Sequence, residues 1–378
     1  MNNSVPKKLQ TVYFQNLDAA RFIAAFAVLL LHFSNEVRGL FPYLGDSSSF
    51  KIIYLFTGKG GLGVDFFFVL SGFLITFLIF QEQKTHGKFH LGYFLVRRTL
   101  RIWPLYFSIG IVGFIIFPAF IDGYFTRHEP LYYFLFLANF DEIWNGANDT
   151  VNFLTSPWSV AVEEQFYLFW GIVLSIGFRL RKMSFPLLLI LLYVISFIFS
   201  WINKENEAML YLHTLAVCQD ILMGAFLGWS VFKGLKWVDK IQSISKLQVF
   251  TIYLLGFAII LAKNKLFQGD LILLERFVLS FFFAFIIIEQ IGGKHSLFKL
   301  GRIKLFTYLG KISYGIYMYH LVVMYLLVHF IDFKSIGLIP TLIIFGSASL
   351  LFTYAVSALS YRFIESKFLA LKPKVKTE

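Results

Sequence analysis

Several ionisable side chains lie inside long apolar stretches of this 378-residue sequence. An ionisable group at membrane depth is costly unless it is paired or hydrated, so each one is a candidate for function. The stretch LDAARFIAAFAVLLLHF contains Asp18 and Arg21, three residues apart, which predicts an ion pair on one helical face. His32 follows Arg21 by eleven residues, so the two share a face with about 16 Å between them. A helix-end histidine hydrogen-bonded to a neighbour is the simpler alternative for His32.

Three acidic residues reach the predicted depth of His32 from other stretches. GKGGLGVDFFFVLSGF places Asp65 near the same membrane surface, and SPWSVAVEEQFY puts Glu163 and Glu164 about two turns below it. One of the two adjacent glutamates can be explained as a helix-dipole partner. A histidine beside half-buried acids is nevertheless the arrangement that a general base needs, because an acid fixes its tautomer and stabilises the imidazolium.

A second layer of charge is cationic and lies near the opposite surface. YFLVRRTLRIWPLY places Arg98 and Arg101 three residues apart on one face, beside Arg97. Anchoring at the cytoplasmic surface explains Arg97 and can explain Arg98. Arg101 and Arg21 lie deeper than anchoring requires, and the planar guanidinium suits a phosphate or a carboxylate.

The stretch KISYGIYMYHLVVMY adds Tyr314 at the level of the arginines and His320 near mid-depth. Tyrosines at that level are commonly interfacial belt residues, which is the alternative for Tyr314. The two layers together suggest an elongated ligand with phosphates at one end and a reactive group at the other. A coenzyme A thioester has this form, and its pantetheine arm is comparable in length with the separation of Arg21 and His32.

The elements that must position these residues are membrane helices. The sequence is 58% hydrophobic and only 15% charged, whereas a soluble domain carries about 25% charged residues. This composition excludes a disordered chain, and the single cysteine, Cys218, excludes a disulfide scaffold. The net charge of +12 is sorted by loop, which indicates membrane orientation and not nucleic-acid binding.

We therefore predict an all-α polytopic membrane protein with about ten transmembrane helices. The predicted spans are Asn16–Ser34, Leu62–Ile79, Ile102–Phe120, Pro157–Phe178, Phe185–Trp201, Met209–Phe232, Leu247–Ala262, Leu271–Ile291, Ile312–Ile331 and Ser335–Leu359.

Loop charge sets the predicted orientation. Ten crossings with both termini cytoplasmic place 23 of the 34 basic residues on the cytoplasmic side. The apolar segment 131–140 is too short to cross and is predicted to be re-entrant or interfacial.

We expect one domain over residues 1–378, with its motifs between residues 17 and 365 and a short basic cytoplasmic tail at 366–378. The first apolar run has no cleavage site and is expected to remain as an anchor.

Six motifs in order resemble the acyltransferase 3 family of bacterial membrane acyltransferases. They are LDAARFIAAFAVLLLHF, GVDFFFVLSGFLIT, RRTLRIWPLYF, SPWSVAVEEQFYLFW, ISYGIYMYH and YRFIE, and they cover nearly the whole chain. The resemblance implies transfer of an acyl group, often acetyl, from cytoplasmic acyl-CoA to a hydroxyl of a carbohydrate or glycoconjugate at the outer face of the inner membrane. It implies essential roles for Arg21 and His32.

The family pattern also maps onto the paired arginines Arg98 and Arg101 and onto Glu163 and Glu164, without deciding between the two glutamates. Some members carry a fused extracytoplasmic hydrolase-like domain, for which we expect no room here. A second transfer step would then be absent or need a separate partner, such as a glycan-assembly protein.

Our hypothesis gives His32 the role of general base, oriented by Glu163 or Glu164 with Asp65 nearby. The expected site residues, by role, are His32, Glu163, Glu164 and Asp65 for catalysis, Arg21, Arg98, Arg101, Tyr314 and His320 for acyl-CoA binding, and Ser71, Trp158 and Ser159 for substrate binding. No metal is expected. Transfer can be direct or can pass through Ser71 or His32.

Two rival functions remain at this point. A transporter or flippase for a glycan or lipid would use the buried His and Glu residues as a proton relay, but no inverted repeat or pair of interrupted helices supports it. A catalytically inactive scaffold would require loss of the motif residues.

Overall fold

The computed structural model describes residues 14–145, 153–180 and 184–373. Six basic residues that contribute to the predicted orientation lie outside these ranges: Lys7, Lys8, Arg181, Lys182, Lys374 and Lys376. All regular structure in the described ranges is helical.

Ten helices are long and apolar enough to cross a membrane, as predicted. Their main segments are α1 (Gln15–Leu40), α2 (Leu62–His86), α3 (Leu91–Ile111), α4 (Trp158–Leu180), α5 (Phe185–Ile202), α6 (Thr214–Lys233), α7 (Lys246–Leu266), α8 (Ile272–Gly292), α9 (Ser313–Phe330) and α10 (Leu338–Ser360). Arg276 near the start of α8 contacts Asp65 near the start of α2 and Asp220 near the start of α6, so the N-terminal ends of these three helices share one end of the bundle.

Several helices extend beyond the predicted spans. Helix α3 begins at Leu91, eleven residues before the predicted start at Ile102, and a π-helical turn, Val112–Ile116, continues it into a short helix that ends at Phe120, as predicted. A second π-helical turn, Tyr361–Glu365, continues α10 to Ala370. The helix Ser48–Thr57 precedes α2 after a tight turn.

The segment predicted to be re-entrant or interfacial contains two short helices, Pro130–Phe134 and Ala138–Asn145. Phe136 between them has a φ of 57°, a left-handed conformation that interrupts the right-handed helix. This conformation is uncommon for a bulky residue. Neither helix is long enough to cross a membrane, and the depth of the segment stays a prediction.

Helix α2 occupies the centre of the bundle. In the span that contains it, 72% of the most apolar window is buried, compared with 22% for α5 and 11% for α7. A helix that is apolar on all sides and surrounded by other helices belongs to the core, whereas α5 and α7 present their apolar side chains to lipid. The polar residues of α2 must therefore find partners on neighbouring helices.

Close contact between α2 and α6 depends on glycine at two crossing points. A Cβ atom at Gly72 would lie 1.9 Å from the carbonyl oxygen of Ile221, and a Cβ atom at Gly224 would lie 1.9 Å from that of Val69. Both obstacles are backbone atoms and cannot rotate away. Small residues let membrane helices approach in this way, and the gain is van der Waals contact.

We expect Gly224→Leu to separate α2 from α6 and to lower the thermal unfolding temperature of the detergent-purified protein. Overpacking typically costs about 1–3 kcal/mol, and the rigid backbone contact places this site at or above the upper end. Gly92→Ala is the control, because a Cβ atom at Gly92 meets nothing within 4 Å. Equal unfolding temperatures for the two variants would contradict the packing argument.

Candidate active site

A polar cleft lies among α1, α2, α3, α4 and α9 and encloses about 790 Å³, counting its open mouth. Ten polar side chains line it: Arg21, Ser71, Arg98, Arg101, Ser159, Glu163, Tyr167, Ser313, Tyr314 and Tyr317. Seven of these are residues that the sequence analysis selected, from five different helices. The cleft therefore collects most of the predicted acyl-CoA-binding residues, one predicted catalytic carboxylate and two predicted substrate-binding serines.

One carboxylate in the cleft is held by two hydroxyl groups. The Ser71 hydroxyl donates to Glu163 Oε1 at 2.5 Å, and the Tyr167 hydroxyl is 2.9 Å from Glu163 Oε2. Tyr167 also lies 3.1 Å from Ser71 Oγ. These contacts orient the Ser71 hydroxyl towards Glu163. The spacing of Glu163 and Tyr167, four residues apart on α4, could have identified this tyrosine.

The three arginines differ in how their charge is balanced. Arg21 donates to Asp18 Oδ1 at 3.0 Å, which confirms the predicted ion pair. Arg98 stacks over the rings of Tyr167 and Phe94, 5.6 and 5.8 Å from their centroids. Within the described part of the chain, neither Arg98 nor Arg101 forms an ion pair or a conventional hydrogen bond. Two guanidinium groups thus line the cleft without a bound carboxylate.

A further basic residue approaches the same end of the bundle. Lys372 follows the last helix, and burial lowers the pKa of its ammonium group to about 8, with repulsion from Arg101, Arg98 and Arg97 adding to the effect. The sequence analysis treated this residue only as part of the basic tail. Its position adds to the positive potential at the arginine end of the cleft.

The two adjacent glutamates face different surroundings. Glu163 lines the cleft. Glu164 accepts a hydrogen bond from the indole N–H of Trp103 at 2.9 Å, and its other oxygen, Oε1, is buried without a hydrogen bond. A shift of one residue turns a helical side chain by about 100°, so the two cannot share one site.

His32 pairs with a second histidine and with neither glutamate. The ring centroids of His32 and His320 are 5.2 Å apart. Among the described residues His32 has no hydrogen-bond partner, because Glu163 and Glu164 direct their oxygens to Ser71, Tyr167 and Trp103. The expected contact between His32 and a glutamate is therefore not formed in this structure, and orientation of His32 by a glutamate stays a prediction.

The tautomer of His320 follows from its contact with a backbone carbonyl oxygen. His320 is fully buried, and its Nδ1 lies 2.6 Å from the carbonyl oxygen of Tyr317. A carbonyl oxygen can only accept, so Nδ1 carries the proton and Nε2 carries a lone pair. Nε2 is buried without a hydrogen bond in the described structure.

Tyr317 connects this histidine pair with the cleft. Its ring centroid lies 6.0 Å from that of His320. Its hydroxyl lies 2.8 Å from Ser159 Oγ and donates to the carbonyl oxygen of Ser156 at 3.0 Å. Tyr314, one turn earlier, is tied to α3 by donating to the carbonyl oxygen of Ile102 at 3.0 Å. His32 and His320 do not themselves line the cleft.

Asp65 belongs to a different polar cluster from the one expected. Arg276 Nη1 donates to Asp65 Oδ1 at 3.0 Å and to Asp220 Oδ2 at 2.6 Å. Arg276 Nη2 donates to the carbonyl oxygen of Leu210 at 3.1 Å. Asp65 thus lines a second, polar cavity with Asp220 and not the arginine cleft. Its pairing with Arg276 required knowledge of which helices surround α2.

Trp158 separates the two cavities. It is buried, and its ring centroid lies 5.1 Å from that of Tyr211 and 5.9 Å from that of Phe68. Tyr211 lines the polar cavity and Phe68 lines the cleft. A substrate-binding role for Trp158 stays a prediction, because the ring packs in the partition between the cavities.

No group of three His, Cys, Asp or Glu side chains that could hold a metal ion occurs in the described ranges. The cleft offers acids, bases and hydroxyl groups for chemistry. It can bind an anion at one end and polarise a hydroxyl near its middle.

Comparison with known proteins assigns a family to most of the chain. Residues 14–362 match the family model described as "Acyltransferase domain". A Staphylococcus aureus (strain COL) protein named "Putative O-acetyltransferase SACOL0978" is 29% identical over 383 residues, covering 94% of this chain and 57% of that protein. O-acetyltransferase OatA of S. aureus (strain MRSA252) is 26% identical over 399 residues, covering 97% of this chain and 60% of that protein.

The chain therefore spans about three fifths of the length of these relatives. No solved structure matches it.

We expect Arg276→Met to destabilise the protein by about 3–5 kcal/mol, because removing one partner leaves Asp65 and Asp220 buried and uncompensated. The measurement is chemical or thermal unfolding in detergent, followed by tryptophan fluorescence. Arg302→Met is the matched control, since Arg302 is exposed. Stability equal to that of the control would mean that the cluster does not hold α2, α6 and α8 together.

Proposed function

This chain belongs to the acyltransferase 3 family, and we propose that it transfers an acyl group, most readily acetyl, from acyl-CoA to a hydroxyl of a carbohydrate or glycoconjugate at the outer face of the inner membrane. The observation that carries the proposal is the cleft in which neither Arg98 nor Arg101 forms an ion pair with a carboxylate of the described residues. Membrane proteins seldom leave such charges uncompensated, and anionic ligands are their usual partners.

The donor is proposed to enter at the arginine end. Arg21, Arg98 and Arg101 line that part of the cleft, and bidentate guanidinium contacts suit the phosphates of coenzyme A. Loop charge predicts that this end is cytoplasmic, where a water-soluble thioester is available. The pantetheine arm then follows the cleft past Ser71 and Glu163 towards Tyr317. The distance of about 16 Å between Arg21 and His32 along the helix is within the reach of this arm.

His32 is proposed as the general base for direct transfer. Its imidazole removes the proton from the acceptor hydroxyl, and the hydroxyl oxygen attacks the thioester carbonyl carbon. The tetrahedral intermediate collapses by breaking the C–S bond, and the imidazolium returns the proton to the leaving thiolate. His320 lies beside His32 and, with its Nδ1 proton engaged by a carbonyl oxygen, can accept a hydrogen bond through Nε2 and so position the ring.

Hydroxyl groups of the cleft are proposed to stabilise the oxyanion. Tyr317 donates to the Ser156 carbonyl, so Ser159 donates to Tyr317, and the Ser159 hydroxyl is proposed to turn to the oxyanion when substrate is bound, in a site of low dielectric where a donor is worth more than in water. Asp65 is proposed to act through Arg276 in holding α2, and hence Ser71, in place. Glu163 is proposed to orient Ser71 and Tyr167.

A two-step route through an acyl-enzyme is the alternative chemistry. Ser71 donates its proton towards Glu163, which could accept it as Ser71 attacks the thioester. Radiolabelled acetyl-CoA without acceptor distinguishes the routes. Label that remains on the protein and disappears in Ser71→Ala would favour the two-step route, and absence of label would favour direct transfer.

Replacement of His32 tests the proposed base. We expect His32→Ala to lower kcat by about 10²–10⁴-fold while the protein inserts and unfolds normally, because general-base catalysis contributes that much. The measurement is acetylated glycan formed by the purified protein in proteoliposomes. His329→Ala is the control, since His329 is exposed near the end of α9. A His32→Ala variant that acetylates at the original rate would refute the mechanism and would fit the rival transporter function better.

Replacement of Arg98 tests the donor site. We expect Arg98→Gln to raise the KM for acetyl-CoA by about tenfold with a smaller change in kcat, because a charge-assisted contact with phosphate contributes about 1.5–3 kcal/mol. Arg362→Gln is the control, because Arg362 lies on the last helical segment and stacks on Phe363 outside the cleft. An unchanged KM in Arg98→Gln, with kcat reduced, would place the phosphates elsewhere.

A further inference from the structure

An apolar groove runs along the bundle between α1, α7 and α8. It encloses about 1,600 Å³, counting its open side. Ala20, Ala24 and Ala27 form its floor on α1, and Tyr253 and Phe257 form its wall on α7. Phe56 and Phe257 at its rim are 59% and 54% exposed. The groove thus opens on the lipid-facing side at membrane depth.

The groove continues into the polar cavity that contains Asp65. Lys59 and Leu62 line both spaces. The polar cavity encloses about 1,790 Å³ and offers hydrogen-bonding groups that include Tyr211, Glu207 and Gln219. The apolar groove at membrane depth thus leads into the polar cavity, which lies at the opposite end of the bundle from Arg98 and Arg101.

Lys59, at the junction, differs from every other cation of the two spaces. Arg276 pairs with Asp65 and Asp220, Lys263 pairs with Glu275, and Lys204 pairs with Asp270. Lys59 donates to the neutral amide oxygen of Asn264, at 2.7 Å, and forms no ion pair with a carboxylate of the described residues, because its charged neighbours Lys263 and Glu275 pair with each other. An ammonium group left in this position is complementary to an anion at the point where the apolar groove meets the polar cavity.

The polar cavity also contains an unused buried acceptor. Asp220 is 1% exposed, and its Oδ1 accepts no hydrogen bond within the described structure. Buried carboxylate oxygens are normally satisfied, so a donor such as a sugar hydroxyl fits this position. Leu31, the neighbour of His32 on α1, lines the same cavity, whereas His32 itself does not.

We propose that the acceptor is lipid-linked, with a hydrocarbon chain in the apolar groove, a phosphate at Lys59 and its sugar in the polar cavity. This inference rests on the proposed function and specifies the class of acceptor. Apolar contact accounts for the chain, the Lys59 ammonium for the phosphate, and the cavity's carboxylate and amide groups for the sugar hydroxyls.

Photocrosslinking tests the site without requiring catalysis. The full chain is reconstituted in phosphatidylcholine nanodiscs with a trace of polyprenyl monophosphate that carries a diazirine on its chain. We expect crosslinks on peptides that contain Ala20–Ala27 and Tyr253–Leu261, about tenfold more abundant than with the corresponding uncharged polyprenol. Excess unlabelled polyprenyl phosphate should suppress them, whereas excess inorganic phosphate should not.

Matched variants separate the two parts of the site. Lys59→Gln should reduce labelling to the level of the uncharged probe, and Lys265→Gln, an exposed lysine of α7 that lines neither space, should retain it. Ala27→Trp should fill the groove and remove labelling, whereas Val194→Trp on the exposed face of α5 should not. Labelling spread equally over α5 and the groove, or unchanged in Lys59→Gln, would overturn the proposal.

An activity comparison distinguishes failure of this inference from failure of the proposed function. The same sugar is offered as a polyprenyl phosphate conjugate and as a free glycoside. The KM for the lipid-linked form should be about one tenth of the KM for the free glycoside, or smaller. Equal KM values for both acceptors would overturn the inference and leave acyl transfer intact. No transfer to either acceptor, together with groove labelling that depends on Lys59, would refute the function and retain the lipid site.

Discussion

Every charge that this bundle carries at membrane depth must be compensated, and the form of compensation separates structural charges from those available to ligands. Arg276 is satisfied by the carboxylates of Asp65 and Asp220 and by the Leu210 carbonyl. Such a group is closed to ligands because its donors are occupied. Arg98 instead stacks on aromatic rings, and Arg101 forms no ion pair or hydrogen bond with the described residues. Aromatic stacking holds the position of a guanidinium while leaving its N–H groups free.

Helix α2 links the two kinds of site because it presents different faces to different neighbours. Gly72 allows α6 to approach closely, and the same approach places Asp220 within reach of the Arg276 that also binds Asp65. On another face, Ser71 meets Glu163 of α4. A displacement of α2 would therefore disturb the ion cluster and the cleft together. This explains how residues that touch no substrate can still determine the geometry of the proposed reaction.

The sequence predicted features that are set within a single helix. It did not predict contacts that depend on how several helices are arranged. Hydropathy identified all ten helices, and the spacing of Asp18 and Arg21 identified their ion pair, because both are properties of a single segment. Depth along each helix correctly indicated which residues lie at the arginine end. It gave no information on rotation about the helix axis or on lateral neighbours. The partner of Asp65 and the separation of Glu163 from Glu164 depend on those two quantities, and they became visible only in the folded bundle.

The two cavities suit a reaction in which neither substrate crosses the membrane. Passing the phosphates of coenzyme A through an apolar bundle would expose several negative charges to a medium that penalises each of them, and a polar glycan would lose many hydrogen bonds. An acetyl group is small and uncharged, so it is the one component that can be transferred between the two sites at a low desolvation cost. Trp158 packs between Phe68 of the cleft and Tyr211 of the polar cavity, so direct transfer requires a passage past this partition, and the His32 and His320 pair lies beside the Tyr317 end of the cleft. Keeping bulk water from the thioester there would favour transfer to the acceptor over hydrolysis.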